Sequence, residues 1–120
     1  MFSSVDKKLL HEAYDKFNSC EWYKAHDLFE EIWMELDGDE RQIIQGLLQI
    51  SVSQYHMQNG NINGALILLG EGLGRLNKRI NLETGFNINM LCKSSQSLLI
   101  ELQNGEGLEQ YKAPKIVIID

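Results

Sequence analysis

From residue 42 to residue 70 the chain carries no Asp, Glu, Lys or Arg, although 23% of all its residues are charged. The stretch reads QIIQGLLQISVSQYHMQNGNINGALILLG. A helix lying on a surface carries charge on its wet face, so an uncharged run of this length belongs inside. At ~100° per residue, Ile43, Ile44, Leu47, Leu48, Ile50, Val52, Tyr55 and Met57 cover more than half the circumference of a helix over 43–57. That width predicts a buried central helix with neighbours on several sides. The remaining arc is polar but neutral: Gln42, Gln45, Gln49, Ser53 and His56, with Gly46 beside them. Gln45, Gln49 and His56 fall within roughly 40° of one another. If buried, their polar atoms need partners, because each unpaired one costs ~1–3 kcal/mol.

A membrane span is a poor reading of the same run. It would need roughly 20 mostly apolar residues, and Gln45, Gln49, Gln58 and the tripeptide Asn59-Gly60-Asn61 interrupt it. The tripeptide predicts a turn, with Gly60 in the left-handed conformation and Asn61 capping the next helix.

At 120 residues the chain is expected to form one domain with a real core. Its net charge of −6 and isoelectric point near 5.0 argue against a nucleic-acid or anionic-membrane partner. The opening MFSSVDKKLLHE becomes charged by residue 6, unlike a secretory leader. Cys20 and Cys92 offer neither a disulfide framework nor a Cys-x-x-Cys pair. Cytoplasm is the expected compartment. A single Pro together with 3.6-residue periodicity predicts an all-α fold.

The expected architecture is a single-domain five-helix bundle over 1–104, with the central helix buried, and an extended tail over 105–120. The first helix spans 5–18, started by Ser3 or Ser4, with Leu9, Leu10, Ala13, Tyr14 and Phe17 facing inward. Asn18-Ser19-Cys20 links it to a second over 21–36, whose apolar face is Trp22, Ala25, Leu28, Phe29, Ile32, Trp33 and Leu36. Lys24, Asp27, Glu31 and Glu35 lie opposite, and His26 and Glu30 sit at the edge of the apolar arc. Asp37 or Asp39 caps the central helix. A fourth helix spans 62–78. Its glycines cost ~1 kcal/mol each in a helix interior, so another helix is expected to approach closely at Gly64 and Gly72. A fifth spans 87–103, with Ile88, Leu91, Cys92, Ser95, Leu98, Leu99 and Leu102 inward, and Gly105 and Gly107 end it. The tail ends in KIVIID, which is β-prone. With no second strand in the sequence, it is expected either to lie over the bundle or to pair with another chain.

A faint repeat at a spacing of 40 residues aligns Glu21 with Asn61, Trp22 with Ile62, Ala25 with Ala65, Leu28 with Leu68 and Phe29 with Leu69. It continues through Trp33 with Leu73 and Leu36 with Leu76. This predicts two helix-turn-helix units of similar packing, too few and of the wrong period for a tetratricopeptide solenoid.

Three blocks carry a resemblance. They are AHDLFEEIW (25–33), QGLLQ (45–49) and HMQNGNINGA (56–65). In this order they resemble domain-of-unknown-function family 309, over roughly 10–77. His26, Glu30 and Trp33 match its His-x-x-x-Glu-x-x-Trp run, and Gln45, Gly46 and Gln49 its Gln-Gly-x-x-Gln run. His56, Gly60, Asn61, Gly64 and Ala65 match its third block. The resemblance implies a compact multihelical bundle and supplies no activity.

The polar constellation is His26, Glu30, Trp33, Gln45, Gln49 and His56, gathered if the second and central helices pack antiparallel. It has three readings. In the first it is a buried network that fixes helix register. In the second it floors a small pocket for a neutral or cationic ligand, walled by Trp22, Trp33 and Tyr55. In the third, His26, Glu30 and His56 hold a divalent metal that activates water for hydrolysis. The third lacks the second His that makes His-Glu-x-x-His diagnostic. Cys20 has no adjacent base, and His11, near Asp15, reads as surface. The favoured function is a non-catalytic binding or interaction module without a cofactor, as monomer or homodimer, for a protein or small-molecule partner. A metal-binding protein or metal-dependent hydrolase is the alternative.

Overall fold

The structure, a computed structural model, describes residues 1–105 and 111–119. Five helices follow one another among these residues: α1 (Lys7–Asn18), α2 (Trp22–Trp33), α3 (Gly38–Gln58), α4 (Ile62–Asn77) and α5 (Ile88–Gln103). The chain is an all-α, five-helix domain. Each helix packs on the next, so α3 lies between α2 and α4. Ile43, Ile44, Leu47 and Ile50 are fully buried there. No helix among the described residues is long and apolar enough to cross a membrane.

Several helix ends differ from the sequence reading, each for a local reason. Asp6, not Ser3 or Ser4, caps α1, its carboxylate accepting from the Lys8 N–H at 2.9 Å. Phe2 is thereby free to fold back into the core, where it is buried. α2 stops at Trp33 rather than at residue 36. The Glu35 and Leu36 N–H groups bond three residues back, to Ile32 and Trp33, a tightening that turns Leu36 inward. α3 begins at Gly38, directly after Asp37, one of the two expected caps. Asp37 is its N-cap residue without a side-chain cap bond, and Asp39 in the first turn instead pairs with Arg79 at 3.0 Å.

The 40-residue repeat is present in the backbone. Cys20 N–H bonds Phe17 O and Glu21 N–H bonds Lys16 O; 40 positions on, Gly60 N–H bonds Met57 O and Asn61 N–H bonds His56 O. Both turns put their central residue at positive φ, 62° for Cys20 and 76° for Gly60. Asn61 caps α4 by accepting from Gly64 N–H at 3.1 Å, whereas Glu21 makes no cap bond. Ala25 and Ala65, Phe29 and Leu69, and Leu36 and Leu76 are buried at matching places.

Close approach occurs at Gly72 but not at Gly64. A Cβ on Gly72 would lie 2.8 Å from the Gly46 carbonyl oxygen, so here the α3 and α4 backbones touch. At Gly64 the crowding group is the side chain of its own cap, Asn61. Gly70 and Gly74 face open space.

The tail is held at two places. The Asn18 amide grips Ile116 on both backbone groups, at 2.8 Å each, and Ile116 is buried. Beyond it, Ile118 forms an antiparallel bridge with Phe86, flanked by bonds from Asn87 N–H to Val117 O and from Ile119 N–H to Gly85 O. The segment it pairs with, 85–87, carries no strand signature. Gly107 as a helix stop, the tail residues 106–110 and Asp120 lie outside the described residues.

Candidate functional site

The six residues of the polar constellation do not meet in one place. They divide between the two faces of α3 and the far end of α2. Gln49 is buried, and it turns toward α4, donating to Glu71 at 2.9 Å. Gln45 is half-buried and makes no side-chain hydrogen bond among the described residues. Trp33 serves as a platform for Arg41, whose guanidinium lies 3.7 Å from the ring centroid. This pair ties the end of α2 to the start of α3.

His26 and His56 do come together, through a slot between α2 and α3. The slot measures about 160 Å³ and is lined by Trp22, Tyr23, His26, Val52, Tyr55 and His56. Trp22 forms its buried back wall, fixed by a T-shaped contact with Phe17 at 5.0 Å. The Tyr23 and Tyr55 rings approach to 5.6 Å across the two helices, Tyr23 to 5.9 Å from His26, and Tyr55 to 6.3 Å from His56. Both tyrosines are exposed, Tyr23 by 59% and Tyr55 by 38%, so their rings are available to a visitor. Of the expected pocket walls, Trp22 and Tyr55 are present, Trp33 is elsewhere, and Tyr23 and Val52 take its place.

The two histidines have different neighbours. His26 is bracketed by carboxylates, with Nδ1 3.3 Å from Asp27 and Nε2 3.3 Å from Glu30. Those carboxylates are more than half exposed, so this is a surface arrangement rather than the expected buried network. His56 Nδ1 lies 3.2 Å from the amide nitrogen of Asn61, the α4 cap. Among the described residues no group of three or more His, Cys, Asp and Glu side chains is placed to hold a metal ion, so His26, Glu30 and His56 do not form a ligand set.

The buried polar groups of α3 are ones the wheel placed only in part. Ser51 and Ser53 donate back to Leu47 O and Ile50 O, at 2.9 and 2.6 Å. Gln54 is fully buried and its amide nitrogen reaches Ser53 Oγ at 3.2 Å. Among the described residues the indole N–H of Trp22 has no acceptor. Away from the slot, burial pushes the Cys92 thiol up to about 11, so it is no thiolate nucleophile at neutral pH. Burial likewise raises the Tyr14 phenol.

Neither Tyr23 nor Val52 is among the pocket walls expected from the sequence. Tyr23-x-x-His26 and Tyr55-His56 are two aromatic–imidazole pairs, and each places a ring beside a histidine on its own helix. That duplication was the available signal.

Residues 10–68 match the family described as Domain of unknown function (DUF309). The chain belongs to that family. No curated protein and no solved structure matches it. The DUF309 match runs from α1 into the middle of α4 and so takes in every residue lining the slot. The tail and α5 lie beyond it.

Proposed function

We propose that this DUF309 protein is a non-catalytic binding module, acting in the cytoplasm, that seats one small group of a protein partner in the slot between α2 and α3. The observation that carries this reading is the lining: four aromatic or imidazole rings beside the buried Trp22, with both tyrosines exposed. Such a wall offers contact area and ring faces. It offers no nucleophile–base pair and no converging set of ligands. At about 160 Å³ the slot holds roughly the volume of five waters at ~30 Å³ each. That is below the ~300–1,000 Å³ of a drug-sized site, and it suits a single side chain. A wider groove of about 630 Å³ runs along the α4–α5 connection beside Met1 and Ile119, and it lacks any cluster of rings.

The test is amide chemical-shift mapping of the ¹⁵N-labelled protein with phenol, indole and isobutanol as probes. Shifts confined to Tyr23, His26, Val52, Tyr55 and His56, and lost in Tyr55→Ala, are the expected result. Shifts centred on Ile80, Phe86 and Ile119 instead would move the binding site to the other groove.

A further inference from the structure

We infer that the occupant of the slot is the guanidinium of an arginine side chain presented by a partner polypeptide. This rests on the binding-module reading and specifies its ligand. Three observations lead to it.

The first is the sign of the surroundings. The slot carries no Lys or Arg in its lining. Next to His26 in its lining stand Asp27 and Glu30, whose carboxylates come within 3.3 Å of its two ring nitrogens. Lys24, the nearest cation in sequence, is engaged by Glu21 at 3.3 Å. The whole chain is at −6. A cation entering here meets carboxylates on approach and aromatic rings on arrival, and each attracts it by a separate mechanism.

The second is shape. The Tyr23 and Tyr55 rings are tilted by 56° with centroids 5.6 Å apart, and Trp22 stands behind them. A planar cation can stack on one ring and present its edge to another. A guanidinium is planar, weakly hydrated and equipped with N–H groups in a fork that fits a carboxylate. A compact ammonium keeps its water more tightly and gains less from a wall that is nearly all carbon. Asp27 and Glu30, each 3.3 Å from a ring nitrogen of the slot residue His26 and more than half exposed, offer the fork its acceptors.

The third is a working example in the same molecule. Arg41 already lies over Trp33, 3.7 Å from the ring centroid, at the other end of the α2–α3 contact. The interface therefore holds a guanidinium–aromatic pair supplied from within, and a second aromatic station supplied with none.

The probe is the peptide acetyl-Gly-Gly-Arg-Gly-Gly-amide, titrated into the ¹⁵N-labelled full chain. Its comparison is the same peptide with citrulline, which keeps the planar head group and loses the charge. The expected result is that the slot amides shift with the arginine peptide and that the citrulline peptide binds about 10-fold more weakly. Glu30→Gln, a change at an exposed position, should weaken the arginine peptide by roughly 3-fold with an unchanged melting curve. Equal binding of the two peptides would overturn the cation assignment while leaving the slot as the binding site. So would tighter binding of tetramethylammonium chloride than of the arginine peptide, which would assign the slot to quaternary ammonium groups. Shifts with phenol or indole but with neither peptide would also overturn the assignment and keep the slot. No shift with any of these probes would overturn both readings.

Discussion

Where α3 meets α4, two glycines let the backbones touch; where α3 meets α2, two tyrosines and two histidines stand between the helices and leave a slot. The same central helix thus has one face closed by the smallest residue and another kept open by some of the largest. On the closed face, a Cβ at Gly72 would lie 2.8 Å from Gly46 O and 3.0 Å from the Ile50 side chain. On the open face, Tyr55 stays 38% exposed in the middle of a run with no charge in it. The lesson is that an uncharged stretch need not be uniformly core. Neutral polar and aromatic residues also suit a surface meant to be covered by something else.

The largest effect expected on this contrast comes from Gly72→Ala. The added methyl meets backbone, which cannot swing aside, so stability should fall by about 2–3 kcal/mol in a urea titration. A loss under ~0.5 kcal/mol would show that the helices slide apart freely and that the face is not closed. Next comes Gly60→Ala, which has open space around its Cβ and a φ of 76°. The cost there is conformational alone, about 1 kcal/mol, with the slot unaffected. Gly74→Ala should go the other way. Gly74 is helical, exposed and uncrowded, so the substitution should raise stability by roughly 0.8 kcal/mol through helix propensity, read as a higher melting temperature. The smallest effect is expected from His26→Ala, within about 0.5 kcal/mol of the parent in the same titration. Its carboxylate partners return to water, and exposed pairs of this kind are worth little. A loss from His26→Ala as large as that from Gly72→Ala would erase the distinction between the two faces.

How much of this was legible follows from what periodicity encodes. The five helices, the buried central one, the Gly60 turn and the Asn61 cap were all readable, because apolar spacing and turn chemistry are local signals. The correspondence between Cys20 and Gly60 was visible only as a faint alignment of apolar residues. The shared turn geometry needed coordinates, since nothing about a cysteine advertises positive φ. The polar constellation was half legible. A helical wheel puts Gln45, Gln49 and His56 within roughly 40°, but over the ten positions between Gln45 and His56 the neighbour beside that stripe changes. Gln49 looks at Glu71 on α4, and His56 looks at Asn61 and the slot. Wheel angle says which side a residue is on, not which helix is there to meet it. Trp33 was misassigned for the same reason. Three residues past Glu30, it stands beyond the slot at the start of α3, where Arg41 claims it.

The grip of Asn18 on Ile116 joins positions separated by 98 residues, in a fold where every strong helix contact is with the next helix in the chain. Contacts between successive helices form early, since little chain entropy is lost in closing short loops, and bundles built this way fold fast. The Asn18–Ile116 clamp demands a much longer closure for two hydrogen bonds and one buried isoleucine. Docking of the tail is therefore the natural last event on the way to the native state and the first to reverse. Slow-exchanging amides should mark α3 and α4, while Ile116 and Ile119 exchange through a local opening that leaves the helices intact.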